Sequence, residues 1–166
     1  MKPYPGEARW GLSLCKASDV HVFLIGGKIG SSRQASCMRF DLASCTWDVQ
    51  MPSMNVTRSG HSSCPLGSRM YVFCGSSSNG SFLNSIESLK LEVEASEQKQ
   101  QIWQLIPEKQ TKRLTPRIDP VSCPLNANQI LIMGGKEGYS SYNDSFVFDV
   151  KRQRVLKGSE LEGLNF

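Results

Sequence analysis

The chain has 166 residues, of which 39% are hydrophobic and 20% are charged, and its formal net charge is +4. This hydrophobic content is enough for a folded domain and excludes a disordered chain, while so small a positive charge argues against a dedicated nucleic-acid binder. No run approaches the ~20 apolar residues of a membrane span, and the amino end lacks the apolar core of a signal peptide. We therefore expect a soluble, cytoplasmic protein whose partners include neither nucleic acid nor a membrane.

The first predicted strands follow one another closely along the chain. Val20–Gly27 reads VHVFLIGG, which is typical of a buried strand that ends in a turn needing the backbone freedom of glycine. The polar segment Lys28–Ala35 that follows predicts a solvent loop. With its flanking strands this stretch predicts a unit of four short antiparallel strands: Arg9–Cys15, Val20–Gly27, Ser36–Leu42 and Trp47–Val49.

The same pattern returns twice. The apolar stretch ending in glycine recurs as MYVFCG at Met70–Gly75 and as ILIMGG at Ile130–Gly135. Arg9, Arg58 and Arg117 open the three units, which begin 49 and 59 residues apart. A repeat of about 50 residues, made of short strands separated by turns, is typical of propeller blades.

The later units repeat the four strands of the first. Pro107–Pro116 lies between the second and third units, and its prolines suit a connection between sheets better than a strand interior. The predicted strands are His61–Cys64, Met70–Cys74, Ser85–Val93 and Ile102–Leu105 in the second unit, and Val121–Cys123, Ile130–Met133, Ser145–Val150 and Arg154–Leu156 in the third.

The six cysteines are expected to be reduced. Cys15, Cys64 and Cys123 share one repeat position, and equivalent positions in neighbouring blades would lie too far apart for disulfide geometry. The other three show no CxxC spacing and no histidine at ligand intervals. We expect packed thiols in a reducing compartment, without metal or cofactor; a redox or zinc role is the alternative.

These marks together resemble the kelch repeat, in which a strand ends in a glycine pair, an aromatic residue then stands beside an acidic one, and a tryptophan follows. The second unit departs from the pattern with Cys74 and Leu91-Glu92, and the third has Val155 in place of tryptophan. The resemblance implies one β-propeller blade per unit. The residues that carry it are Gly26, Gly27, Phe40, Asp41 and Trp47, then Gly75 and Trp103, then Gly134, Gly135, Phe148 and Asp149.

The predicted fold class is therefore all-β, a partial kelch-type β-propeller of three four-stranded antiparallel blades. It forms a single domain over residues 1–166, with blades at about 9–51, 58–106 and 117–157. The glycines are expected to let the backbone turn and the neighbouring blade approach closely. Trp47 and Trp103 are expected to fill the wedge between adjacent blades.

Three blades are fewer than the four to eight that propellers typically have. Such an arc leaves blade faces and strand edges uncovered at both ends. Two chains could complete a six-bladed ring, the chain could be part of a longer propeller, or the arc could rest on another protein.

One face of the arc is predicted to be basic, because the loops after the second strands and the links between blades should emerge together. Arg9, Arg58 and Arg117 hold the same repeat position and would form an arc around the channel mouth, where guanidinium groups suit carboxylates or phosphates. The alternative is that they bond to carbonyls of the adjoining blade and hold it in place. The predicted partner-binding residues are Arg9, Lys28, Arg33, Arg58, Lys112, Arg113, Arg117 and Lys136.

These observations predict a non-catalytic protein–protein interaction module, a scaffold or adaptor that presents its basic loop face to an acidic protein or peptide. The alternative is a structural subunit, or a fragment of a larger propeller, in a multiprotein complex or homo-oligomer that completes the ring. A propeller enzyme is the third reading. It is disfavoured because the two histidines, His21 and His61, are separated, and no nucleophile elbow, HExxH helix or phosphate loop is present.

Overall fold

The computed structural model describes residues 4–91 and 101–157. They form three four-stranded antiparallel sheets, which confirms the all-β fold of a partial propeller. We call the sheets blades 1, 2 and 3 in chain order. Within each blade the four strands lie in the order of the sequence, so each blade is a simple meander.

The strands match the predicted ones closely, although the strand predicted at Ser85–Val93 ends earlier and residues 92–100 lie outside the described ranges. Blade 1 consists of β1 (Ser13–Lys16), β2 (His21–Ile25), β5 (Cys37–Asp41) and β6 (Thr46–Asp48). Blade 2 consists of β7 (Ser62–Leu66), β8 (Arg69–Phe73), β9 (Ile86–Lys90) and β10 (Gln104–Leu105). Blade 3 consists of β11 (Val121–Asn126), β12 (Gln129–Met133), β15 (Ser145–Asp149) and β16 (Arg154–Leu156).

The first strands of neighbouring blades contact each other, β1 with β7 and β7 with β11. This is the arrangement of inner strands around a propeller channel. The blades therefore stand side by side, and blade 2 buries one face against blade 1 and the other against blade 3.

Strand β8 of the middle blade has four consecutive apolar residues, Met70 to Phe73, because both of its faces are buried. Met70 and Val72 are fully buried on the side of blade 1, whereas Tyr71 and Phe73 are buried on the side of blade 3. Successive side chains of a strand point to opposite faces. Since both faces are covered, both sets must be apolar, and the usual alternation with polar residues is lost.

Two apolar clusters hold the blades together. Interface 1–2, between blades 1 and 2, consists of Cys15, Phe23, Ile25, Cys37, Met54, Met70, Val72, Leu89 and Trp103. Interface 2–3, between blades 2 and 3, consists of Cys64, Tyr71, Phe73, Cys74, Ile86, Ile106, Leu114, Ile130, Ile132, Phe146, Phe148 and Val155.

The two predicted wedge tryptophans lie in different surroundings. Trp103 is buried in interface 1–2 and donates its indole N–H to the Pro52 carbonyl at 2.9 Å. Trp47 is half-buried, and its ring contacts Phe40 and Tyr4 with centroids 4.8 and 5.6 Å away. Cys37 faces interface 1–2, and Phe40, three residues later on the same strand, points to the opposite face of the sheet. Trp47 pairs with Phe40 across the sheet, so both rings point away from blade 2.

Two segments predicted as irregular contain short regular structure. The loop predicted at Lys28–Ala35 carries a two-residue ladder of β3 (Lys28–Ile29) and β4 (Ser32–Arg33), and blade 3 has the equivalent β13 (Lys136–Glu137) and β14 (Ser140–Ser141). The link predicted at Pro107–Pro116 contains α1 (Glu108–Thr111). Neither α1 nor anything else helical in the described ranges is long and apolar enough to cross a lipid bilayer.

The cysteines are all free thiols. Burial raises the pKa of the thiols to about 12 at Cys15, Cys37, Cys64 and Cys74. These four side chains therefore stay protonated at neutral pH and act as small apolar groups of the interfaces.

The turn after β2 requires glycine for two reasons. Gly26 has φ +56°, and a Cβ placed there would lie 2.7 Å from the Arg58 carbonyl oxygen and 2.8 Å from Cε1 of His61, both in the next blade's segment. The left-handed conformation alone costs an L-residue about 1–2 kcal/mol. The close approach of backbone adds steric overlap that a side chain cannot avoid.

The change Gly26→Ala is expected to lower the free energy of unfolding by about 3 kcal/mol or more, since overlap with a backbone carbonyl adds to the strain. Gly30→Ala is the matched control, because Gly30 has φ +54° but no atom lies within 4 Å of its added Cβ; it should cost about 1–2 kcal/mol. Urea unfolding followed by tryptophan fluorescence measures both. Equal losses for the two variants would show that close approach at Gly26 contributes nothing.

Candidate interaction site

The recurring arginines all bond to the same carbonyl position. Arg9 donates to the carbonyl of Gly26 at 3.0 Å and Arg58 to that of Cys74 at 2.8 Å. Arg117 donates to the carbonyl of Gly134 at 2.7 Å. In each blade this carbonyl belongs to the turn residue directly after the second strand. The guanidinium therefore satisfies a carbonyl that the sheet ladder leaves behind.

Each arginine has a second partner 27 residues further along its own blade. Arg9 donates to Ser36 Oγ at 3.0 Å, and Arg58 donates to the carbonyl and Oγ of Ser85 at 3.3 and 3.2 Å. Each side chain thus ties the end of the second strand to the start of the third.

The predicted arc of partner-binding arginines is therefore wrong for Arg58 and Arg117. Both side chains are completely buried, so they are not available to a partner. The alternative prediction, that the arginines bond to backbone carbonyls, agrees better with the structure. The carbonyls, however, belong to the arginine's own blade and not to the adjoining one. Arg9 is half-buried, and its guanidinium lies over the Tyr4 ring at 5.6 Å.

Arg58 forms a buried ion pair with Glu87. The two side chains are both 0% exposed, and Arg58 Nη2 lies 2.7 Å from Glu87 Oε1. The carboxylate also accepts hydrogen bonds from the backbone N–H of Asn55 and of Val56, at 2.7 and 3.1 Å. Such a pair is tolerated inside a protein only when its remaining lone pairs are satisfied. Glu87 thereby fastens the link before blade 2 to the middle of that blade.

Arg117 is held by a carboxylate and two aromatic rings. It donates to Asp144 at 2.7 and 3.2 Å, and its guanidinium lies 4.3 Å from the Tyr142 centroid and 4.9 Å from that of Phe146. The hydrogen bond from Arg117 holds the pKa of the Asp144 carboxyl below its usual range. Rings on a guanidinium face add cation–π attraction.

His61 also lies inside the protein. Burial and the neighbouring Arg58 charge lower its pKa to about 3, so the ring is neutral at physiological pH. Its Nε2 lies 2.9 Å from Ser13 Oγ. Within residues 4–91 and 101–157 no three histidine, cysteine or acidic side chains stand together as a metal-ligand group would.

Three further predicted cations lie on the short hairpins. Lys28 and Arg33 face each other across β3 and β4, and Lys28 Nζ lies 5.0 Å from the Trp10 ring centroid. Lys136 forms an exposed ion pair with Asp119 at 3.5 Å. Lys28 and Lys136 are thus partly engaged by neighbouring side chains.

The remaining predicted cations line a cleft beside α1, which we call the basic cleft. Lys112 and Arg113 are exposed at the end of the helix, and the cleft encloses about 290 Å³. Arg154 of β16 enters from blade 3, and sequence reasoning did not connect it with this site. The lining residues are Lys109, Gln110, Lys112, Arg113, Arg154 and Val155.

The basic cleft stands on a fixed base. Thr111 and Leu114 are buried to 1% and 0% exposure, and Leu114 belongs to interface 2–3. Because α1 packs against β16, the ammonium and guanidinium groups are presented from an ordered frame. Glu108 is the acidic residue of the helix and lies in its first turn.

A second cleft of about 420 Å³ lies along the turns of blade 3. Its lining includes Asp149 and Arg152, which pair with each other at 3.4 Å. With Lys151 the lining of this cleft carries one net positive charge, whereas four cations and no acid line the basic cleft.

Comparison with known families covers almost the whole chain. The family model of the KLHDC2/KLHL20/DRC7 Kelch-repeats domain matches residues 9–161, which confirms the kelch resemblance. A search of curated proteins found no match.

Glu87→Gln is expected to lower the free energy of unfolding by about 3–5 kcal/mol, because it leaves the Arg58 charge buried without its partner. Glu108→Gln, at an exposed position of α1, is the control and should change stability by no more than about 0.5 kcal/mol. Urea unfolding curves compare the two. A Glu87 variant as stable as the control would mean that the buried pair does not stabilise blade 2.

A pH effect is expected from Asp144. Its pKa is depressed in the folded state, so its contribution is present above the unfolded pKa of about 3.9 and is lost as the pH falls through the folded pKa. Asp144→Asn should therefore reduce stability at pH 7 and flatten its decline at acidic pH. Asp19→Asn, at a fully exposed carboxylate, should leave the profile unchanged. Chemical denaturation between pH 2 and 7 gives the profiles; identical curves for both variants would contradict the assignment.

Proposed function

Because the chain belongs to the kelch-repeat family, whose domains generally mediate protein–protein interaction, we propose that it is a non-catalytic interaction module that binds an acidic protein segment in the basic cleft. In this role it acts as a scaffold or adaptor. The observation that carries the proposal is the convergence of Lys109, Lys112, Arg113 and Arg154 on one concave surface.

The chemistry of the cleft suits carboxylates. Guanidinium groups donate paired hydrogen bonds to planar anions, and lysine adds a mobile charge. A cluster of cations also steers an acidic partner during encounter.

The rigid base of α1 supports binding as well. Groups already held in place lose less conformational entropy when a partner arrives. The buried Thr111 and Leu114 fix the helix on interface 2–3, so the cleft is preorganised.

The hairpin cations Lys28, Arg33 and Lys136 are proposed as a secondary contact surface, with Arg9 at its edge. Lys28 and Arg33 lie on blade 1 and Lys136 lies on blade 3, where it already pairs with Asp119. Their contribution is therefore expected to be smaller than that of the basic cleft.

We place the protein in a reducing compartment such as the cytoplasm. The support is that all six cysteines are free thiols, including the exposed Cys45 and Cys123. Exposed free thiols are rarely kept by proteins of oxidising compartments.

The test uses fluorescence anisotropy with a fluorescein-labelled octaglutamate peptide as the probe and octaglutamine as its neutral counterpart. The double variant Lys112→Glu/Arg113→Glu is expected to lower octaglutamate affinity about tenfold or more, equivalent to ~1.4 kcal/mol, through loss of attraction and new repulsion. Octaglutamine binding should stay negligible.

The matched control is Lys16→Glu/Lys151→Glu, which makes the same change in net charge at exposed lysines outside the basic cleft. It should keep most of the affinity. If both double variants weaken binding equally, the peptide responds to overall charge and the cleft is not the site.

A further inference from the structure

Three backbone hydrogen bonds join blade 1 to blade 2. The Gly27 N–H donates to the Arg58 carbonyl at 2.9 Å, and the Arg58 N–H donates to the Gln34 carbonyl at 3.1 Å. The Gly60 N–H donates to the Gly11 carbonyl at 2.7 Å. The segment that opens blade 2 is thus fixed to the turn of blade 1.

The same three bonds recur between blades 2 and 3. The Gly75 N–H donates to the Arg117 carbonyl at 2.9 Å, and the Arg117 N–H donates to the Leu83 carbonyl at 3.1 Å. The Asp119 N–H donates to the Gly60 carbonyl at 2.7 Å. Equivalent residues therefore form the same three hydrogen bonds, with the same three distances, at both blade interfaces.

Blade 3 presents the same docking groups on its far side. The Tyr142 N–H donates to the Gly135 carbonyl at 2.9 Å. The Gln34 N–H donates to the Gly27 carbonyl and the Leu83 N–H to the Gly75 carbonyl in the same way, both at 2.8 Å. No residue of the described ranges fills the place that Arg58 and Arg117 take in the other two turns. The Gly135 N–H and the Tyr142 and Asp119 carbonyls are therefore arranged for a next blade.

The apolar face of blade 3 is exposed where its equivalents are buried. The residue before the turn is Ile25 in blade 1 and Phe73 in blade 2, both 0% exposed, but Met133 in blade 3 is 44% exposed. Likewise Cys15 and Cys64 are 2% exposed, whereas Cys123 is exposed. Val121, which pairs with Met133 in the sheet, is 66% exposed. These contrasts indicate a blade interface that lacks its second half.

Blade 1 carries the complementary half. The Arg9 side chain bonds to the Gly26 carbonyl of its own blade, as Arg58 and Arg117 bond to the equivalent carbonyls. The Arg9 backbone is therefore at the position from which Arg58 and Arg117 bond to the preceding blade. Leu14 lies on the face of β1 opposite to the buried Cys15 and is 62% exposed. A blade docked on this side would cover it.

We propose that two copies of this chain join head to tail, blade 3 of each docking on blade 1 of the other, to close a six-bladed propeller. The Gly135 N–H would donate to the partner's first-blade arginine carbonyl. Propellers have four to eight blades, and two copies of the three blades in the described ranges give six. A two-fold axis along the channel makes both new interfaces identical and leaves no open edge. The inference is independent of the basic cleft.

Native mass spectrometry of the full chain is the first test. The expected mass is twice the 18.4 kDa of one chain. Met133→Asp should give the mass of one chain, because it places a charge in the docking face, whereas Tyr139→Asp, at a fully exposed hairpin tip, should keep the doubled mass. A wild-type chain that stays at 18.4 kDa at micromolar concentration overturns the proposal.

A complementation experiment tests the head-to-tail arrangement. Leu14→Asp damages the docking face of blade 1, and Met133→Asp damages that of blade 3; each variant alone should run as a single chain. An equimolar mixture should recover the doubled mass, because one of its two interfaces pairs two undamaged faces. Mixtures that stay single, or a Leu14 variant that dimerises alone, contradict head-to-tail closure. Circular dichroism confirms that both variants fold, and Lys112→Glu/Arg113→Glu should leave the mass unchanged.

Discussion

The structure depends on one arginine side chain in each blade that satisfies the carbonyl left over where the second strand ends. The sheet ladder leaves this carbonyl without a backbone partner, and the arginine side chain supplies the missing donor. Arginine supplies several donors in a fixed plane, and it can therefore reach the turn and the start of the third strand together. In blades 2 and 3 the backbone of the same residue also bonds to the preceding blade. One position thus closes its own blade and docks that blade on the one before.

The environment of each arginine follows from how deeply it is buried. Arg9 is half-buried and has a neutral partner, Ser36 Oγ, at 3.0 Å. Arg58 and Arg117 are fully buried, and each has a carboxylate at 2.7 Å. A guanidinium removed from water needs an opposite charge, whereas one at the edge does not. In blade 3 this burial comes from the blade's own Tyr142 and Phe146 rings, which lie 4.3 and 4.9 Å from the Arg117 guanidinium.

The strands could be predicted because their signals are local. An apolar run followed by glycine defines β2 and β12. In blade 2 the first turn residue is Cys74 in place of glycine, and it adopts φ +64°. That conformation costs about 1–2 kcal/mol, and the complete burial of Cys74 in interface 2–3 offsets it. Recurrence also located the arginines correctly. It could not tell whether they point to solvent or inward, since a structural need in every blade gives the same pattern as a binding surface.

The basic cleft could be predicted only in part for a different reason. Lys112 and Arg113 stand in the link, but Arg154 comes from β16, more than forty residues later in the sequence. Their meeting depends on how Thr111 and Leu114 pack α1 beside blade 3, and four helical residues give too short a period to recognise. Side chains brought together by packing between elements leave no spacing that a single sequence could show.

The two proposed surfaces place different demands on assembly. The basic cleft is built from α1 and β16 of one copy, so a single chain can form it completely. The channel mouth is different, because β1, β7 and β11 supply the inner strands of three blades and would enclose only half of a six-bladed ring. A closed pair of chains would therefore complete the channel and also carry two basic clefts related by the two-fold axis. Two identical sites on one rigid body can bind a partner with two acidic segments more tightly than either site alone, provided that the linker spans them.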